Sequence, residues 1–146
     1  MKKRSAMLLV LLMTSILFIC ACTNKNIVKE EPKEADESPG STYGFTSFGL
    51  EIDTQEMKQA LKANYDEKPD KTEAIYENKT EDLYLHGDKA MEKLEPIFEE
   101  LALNPDMDDE DMIKKASETF EIIDYKTLKL KVKFKGHDIK ELTMTK

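Results

Sequence analysis

Several stretches of the chain alternate apolar and polar residues with a period of two, the pattern of a strand that buries one face. This alternation predicts strands over residues 48–53, 61–65 and 72–78, although 57–63 also fits two turns of helix. The residues expected to face the core are Phe48, Leu50, Ile52, Leu61, Ala63, Tyr65, Ala74 and Tyr76.

The clearest alternation lies near the C-terminal end and predicts a strand with one face packed against the core and one face exposed to solvent. A tight turn at Gly136-His137 then leads into a last strand over residues 138–144. In the first of these strands, Leu128, Leu130, Val132 and Phe134 alternate with Lys129, Lys131, Lys133 and Lys135, which we call the lysine ladder.

Between the two strand regions, apolar residues recur every three or four positions, which predicts two helices. Asp88 is expected to cap the first helix, Pro96 to kink it or break it near Glu95, and Asn104-Pro105 to end it. The acidic residues 108–111 favour the start of the second helix, where the helix dipole stabilises carboxylates. The expected buried stripes are Ala90, Met91, Leu94, Ile97, Phe98 and Leu101, then Met112, Ile113, Ala116 and Phe120.

The elements follow the order β-β-(β)-α-α-β-β. This order predicts an α+β domain with an antiparallel sheet of four to five strands and two helices packed on one face. Residues 43–146 are long enough for one such domain with a single core. Tyr43, Phe45 and Phe48 could form an exposed aromatic contact, but entry into this core is the favoured interpretation.

The first 21 residues have the pattern of an export signal. Lys2, Lys3 and Arg4 precede a run, residues 6–19, that is apolar except for Thr14 and Ser15. This run is shorter than the roughly 20 residues that cross a bilayer comfortably. A cleaved signal is therefore favoured over a permanent transmembrane helix.

The signal ends in Ile19-Cys20-Ala21-Cys22, which resembles the lipobox of bacterial lipoproteins, where a small residue precedes the lipidated cysteine. Ala21 is small and Ile19 is not, so the resemblance assigns lipidation to Cys22 and the loss of Cys20 with the signal. Two acyl chains would hold the protein at the membrane and leave no free thiol. The alternative is an ordinary cleaved signal with Cys22 free.

Residues 22–42 are mostly charged or polar and predict a disordered, acidic stalk behind the lipidated cysteine. The whole chain has a formal charge of −8, and removal of three basic residues with the signal leaves −11. Such a charge argues against nucleic acid as a partner. Arg4 is the only arginine, which is typical of the AT-rich coding of low-GC Gram-positive bacteria.

Five segments, in this order behind a lipobox, resemble the YusW-like family, small lipoproteins of low-GC Gram-positive bacteria. The resemblance implies a lipid-anchored, extracytoplasmic protein with an α+β fold. The family has no established activity, so it implies no catalytic or cofactor-binding residue and no metal ligand. The segments are Phe48-Gly-Leu-Glu-Ile-Asp53, Gly87-Asp-Lys-Ala-Met91, residues 94–101, the helix entry at Met107 and residues 128–136.

No metal site is predicted from the residues themselves. His86 and His137 both lie beside glycines in expected turns, and zinc would need distant carboxylates as well. Residues 106–111 could attract calcium, but an EF-hand needs glycine at its sixth position and glutamate at its twelfth, where this chain has Asp111 and Ser117. Helix capping is the favoured interpretation of the acidic run.

No catalytic motif or cofactor-binding motif stands out either. Ser41, Ser47 and Ser117 lie outside any Gly-x-Ser-x-Gly elbow, and the five glycines are scattered. We therefore expect a non-enzymatic binding, interaction or structural module of the cell envelope, with a protein or polymer partner. The alternatives are an envelope hydrolase with paired carboxylates, or an inhibitor or immunity protein for a secreted enzyme.

The lysine ladder is the candidate binding face, and the sequence leaves two readings of it open. Its charges repel one another unless something negative lies alongside. The partner could be an external polyanion of the envelope, but internal pairing is favoured. The carboxylates expected to supply it are Glu51, Asp53, Glu73 and Glu77.

Overall fold

A computed structural model describes Gly40 and residues 42–146. The strands are β1 (Phe45–Asp53), β2 (Leu61–Glu67), β3 (Thr72–Asn78), β4 (Leu83–His86), β5 (Thr127–Phe134) and β6 (Ile139–Thr145). The helices, between β4 and β5, are α1 (Asp88–Leu101) and α2 (Asp109–Thr119).

All neighbouring strands are antiparallel, in the order β4-β3-β2-β1-β5-β6. The first four strands form a meander, and the two helices return the chain so that β5 pairs with the free side of β1. The predicted α+β class is confirmed. The predicted count of four to five strands is too low, because β4 has only four residues and is too short to show a period.

The one-sided burial of the strands follows the predicted alternation. In β1, Phe48, Leu50 and Ile52 are buried, and their neighbours across β2 and β5 face the same way. These side chains join the helix stripes in one core. We call the opposite face of the sheet, which carries the lysine ladder, the outer face.

The second strand is confirmed, and the alternative of a helix over residues 57–63 is wrong. A turn precedes the strand, in which Thr54 N donates to Met57 O at 2.9 Å and Met57 N donates to Thr54 Oγ1 at 3.1 Å. Met57 is exposed, whereas Ala63 and Tyr65 are buried. The period of two thus prevails because only this conformation buries both of them.

Three expectations about helix α1 are corrected. Asp88 does not cap it: Gly87, with φ of 59°, occupies the N-cap position, and no side chain makes a capping hydrogen bond. The predicted break near Glu95 is wrong, since the helix continues through Pro96, which lies on the exposed side. It ends at Leu101, before Asn104-Pro105, with Ala102 in a left-handed conformation.

Helix α2 begins within the acidic run as predicted, but its capping is only partly as expected. Asp108 holds the N-cap position without a side-chain hydrogen bond to the helix. Asp109, Glu110 and Asp111 lie in the first turn, where the helix dipole favours them. The acidic run therefore acts through the dipole and not through a capping hydrogen bond.

Phe98 of α1 packs into an aromatic cluster at the centre of the core. Its ring centroid lies 5.2 Å from Phe45, 5.1 Å from Phe48, 5.4 Å from Tyr65 and 5.2 Å from Tyr43. Phe45 and Phe48 are fully buried and Tyr43 is half-buried. The favoured interpretation of these aromatic residues as core is confirmed.

We predict that Phe98→Ala lowers the free energy of unfolding by about 3–5 kcal/mol, because it removes these ring contacts and leaves a cavity. Urea denaturation followed by circular dichroism measures the change. Tyr84→Ala is the matched control, since Tyr84 is 52% exposed, and it should change the value by no more than about 0.5 kcal/mol. Equal losses in the two variants would contradict the assigned core.

Candidate functional site

The lysine ladder lies on the outer face, as predicted. Lys129, Lys131 and Lys133 project from β5 and are exposed, while the residues between them are buried. Successive members of such a row stand about 6.6–6.8 Å apart. Lys135 follows the end of the strand and is also exposed.

Part of the ladder is paired within the protein, but by a residue that the sequence reasoning missed. Lys131 Nζ lies 2.6 Å from Glu141 Oε1, and the two residues are direct cross-strand partners between β5 and β6. The turn at Gly136 fixes this register, so the length of the hairpin was the signal that could have identified Glu141.

The expected carboxylates contribute less than predicted. Glu51 stands between Lys129 and Lys62 on the neighbouring strands. Asp53 is opposite Thr127, and its Oδ1 accepts a hydrogen bond from Gln59 N at 2.7 Å.

The two glutamates of β3 are not partners of the ladder, because β2 and β1 separate that strand from β5. Glu77 is opposite Lys62. Glu73 binds Lys68 at 2.8 Å and Lys71 at 2.5 Å, and these hydrogen bonds hold the pKa of the Glu73 carboxyl at about 2. Pairing of Glu73 and Glu77 with the ladder was therefore a wrong expectation.

Two ladder residues lack an ion pair of the kind that Lys131 forms. Lys129 has Glu51 and Thr143 on the adjacent strands, and Lys133 has Ser47 and Ile139. Neither lysine forms an ion pair with any residue in the described part of the chain. The outer face thus presents two cations beside an internally paired one.

A depression of about 280 Å³ lies over Gly49 in the middle of this face. Gly49 sits in the central strand, yet its φ is not in the left-handed region, and an added Cβ would meet nothing closer than Asn64 Oδ1 at 3.5 Å. Backbone geometry therefore does not require glycine here. A glycine in a strand interior often marks a place where a ligand approaches closely. The residues that line the depression are Gly49, Glu51, Asn64, Lys129, Leu130, Lys131, Glu141, Leu142 and Thr143.

The acidic run at α2 is already occupied by a cation of the protein. Lys140 Nζ lies 2.7 Å from Asp109 Oδ1 and donates to Met107 O at 3.4 Å. Within residues 42–146 and Gly40, no three His, Cys, Asp or Glu side chains are placed to hold a metal ion. His86 ends β4 and His137 lies in the turn after β5, both exposed.

The remaining sequence candidates do not converge on this face. Ser117 is buried in α2 and donates to Lys114 O at 2.9 Å. Cys20, Cys22, the signal, Ser41 and the stalk apart from Gly40 and Thr42 lie outside the described residues. None of the described helices is long and apolar enough to span a membrane.

Comparison with known proteins gives one match. The sequence model of a family described as YusW-like protein matches residues 46–136, which run from β1 to the turn after β5. Neither the curated proteins nor the solved structures contain a significant match.

We predict a coupling free energy of about 0.2–1 kcal/mol between Lys131 and Glu141, the range of exposed cross-strand ion pairs. Urea denaturation of Lys131→Met, Glu141→Gln and the double variant measures it. The control cycle combines Lys62→Met with Glu141→Gln. Lys62 lies on β2, three strand steps from Glu141 on β6, so the effects of these two substitutions on the free energy of unfolding should be additive. Coupling no larger in the first cycle than in the control would show that the pair adds no stability.

Proposed function

The chain belongs to the YusW-like family, and we propose that it is a membrane-anchored, extracytoplasmic lipoprotein whose domain serves as a binding or structural module of the cell envelope. The anchor in this proposal is Cys22, acylated after the export signal is removed. The host is a Gram-positive bacterium, and the membrane partner is lipid.

The N-terminal sequence supports the anchor. A basic segment, an apolar run and Ala21-Cys22 follow one another in the order that lipoprotein processing requires. Two acyl chains, each stabilised by about 0.8 kcal/mol per buried methylene, would be sufficient to retain the protein at a membrane. The acidic segment before the domain would then hold it away from the lipid surface.

The outer face supports the binding role, and the depression over Gly49 is the single observation that carries it. Hydrogen-bonding groups surround the depression, and Lys129 and Lys131 line one side of it. Most of the side chains that line the depression lie outside the core, and only Leu130 and Leu142 belong to it or pack against it. An anionic envelope polymer fits Lys129, which lines the depression and forms no ion pair with the described residues.

The hydrolase alternative has its best location in the same depression. Glu51 and Glu141 both line it, and paired carboxylates are what such a reaction uses. However, Lys131 holds Glu141 at 2.6 Å, which favours a role for this carboxylate in charge pairing. We therefore prefer the binding module.

We predict that Cys22→Ser moves the full-length protein out of the membrane fraction, or leaves an unprocessed precursor, because the proposal contains no other anchor. Cys20→Ser is the matched control and should leave membrane retention unchanged. Fractionation of expressing cells with immunoblotting measures both. Retention that survives loss of Cys22 but requires Cys20 would contradict the assignment.

We predict that Gly49→Val weakens co-sedimentation of the mature protein with isolated cell walls that contain teichoic acid, because the new methyl groups project into the depression. The melting temperature should not fall, since an added Cβ would make only ordinary van der Waals contacts, the nearest with Asn64 Oδ1 at 3.5 Å, and valine favours strands. Ser47→Val, on the same face but outside the depression, is the control and should still bind. Binding that persists undiminished in Gly49→Val would exclude the depression as the site.

A further inference from the structure

Strand β6 forms an open edge of the sheet. It has seven residues, Ile139–Thr145, and pairs with β5 on one side only. No other strand in the described part of the chain lies on its second side. The opposite edge, β4, is only four residues long.

Backbone hydrogen bonds show which residues of β6 face the open side. Lys146 N donates to Lys126 O at 3.0 Å, so the backbone of Lys146 points toward β5. Hydrogen-bonding direction alternates along an antiparallel strand. The N–H and C=O groups of Lys140, Leu142 and Met144 therefore pair with β5, and those of the odd-numbered residues from Ile139 to Thr145 point outward.

The protection of β6 as an edge strand is weak. Proteins protect edges with charged side chains, prolines or bulges. Residues 139–145 include no proline, and the register with β5 has no shift. Both charges of the strand are already neutralised, Lys140 by Asp109 at 2.7 Å and Glu141 by Lys131 at 2.6 Å.

We propose that β6 pairs antiparallel with β6 of a second copy of this chain, about a twofold axis that passes beside Leu142. The two sheets join into one, and both outer faces lie on the same side of it. Residues that face each other across the axis have numbers whose sum is constant. The pairs are Leu142 with Leu142, Glu141 with Thr143, Lys140 with Met144, Ile139 with Thr145 and Asp138 with Lys146.

Charge selects this register over its neighbours. Centring the pair on Glu141 places two glutamates directly opposite each other. Centring it on Thr143 places Lys140 opposite Lys146. With Leu142 at the centre no like charges meet, and Asp138 lies opposite Lys146 at both ends. Lys146 Nζ donates to Ile123 O at 2.9 Å and lies over the Tyr125 ring of its own chain. Charge therefore selects the register by excluding its neighbours, and not by adding an ion pair.

Disulfide trapping in membranes from cells that express the full-length protein tests the register. In Leu142→Cys, two cysteines would form a non-hydrogen-bonded pair with Cα atoms about 4.5 Å apart, within the range of a disulfide. We expect a covalent dimer on mild oxidation. Thr145→Cys is the matched control: its two copies would lie six residues apart, about 20 Å, and should not crosslink. The unsubstituted chain controls for Cys20 and Cys22.

A backbone variant tests the hydrogen bonding. Thr143→Pro removes an outward-facing N–H and no bond to β5, so in the Leu142→Cys background it should greatly reduce the dimer, whereas Thr143→Val should preserve it. Three results would each overturn the proposal. They are no Leu142→Cys dimer above the unsubstituted chain, equal crosslinking through Thr145→Cys, or a crosslink from Leu142→Cys to a different protein in place of a second copy.

Discussion

Phe98 contacts four aromatic rings, and the rest of the structure depends on this cluster. It attaches α1 to β1 and β2 by burial alone, on one side of the sheet. Phe48 extends the contact to Phe120 after α2, with ring centroids 5.9 Å apart. Because both helices use the same side, the opposite side of all six strands is left without a packing role.

This separation explains the character of the outer face. A sheet face that need not be apolar can carry charge, and here several of the charges form local pairs that the strand order determines. Lys131 reaches Glu141 on β6, and Glu73 reaches the lysines that flank its own turn. A glycine in the middle of the central strand leaves a depression among them. We interpret this face as the part of the domain that serves its function.

The sequence predicts the parts of this fold that repeat a pattern. The alternation in β1 and β5 and the stripe of α1 identify the buried residues, because burial is periodic. It does not predict β4, whose four residues show no period, or the end of α1 at Leu101, which a left-handed Ala102 determines. The partner of Lys131 depends on the register of a hairpin, which hydrophobicity alone does not specify. The depression over Gly49 requires the strand order, since its lining comes from four strands.

We propose that the outer face, and not the helix face, meets the partner in the envelope. Photo-crosslinking in intact cells tests it most directly, with a benzophenone amino acid in place of Asn64 on the outer face or of Glu99 on the exposed side of α1. We expect a specific adduct with envelope material from position 64 and none from position 99. An adduct from position 99 alone would contradict it.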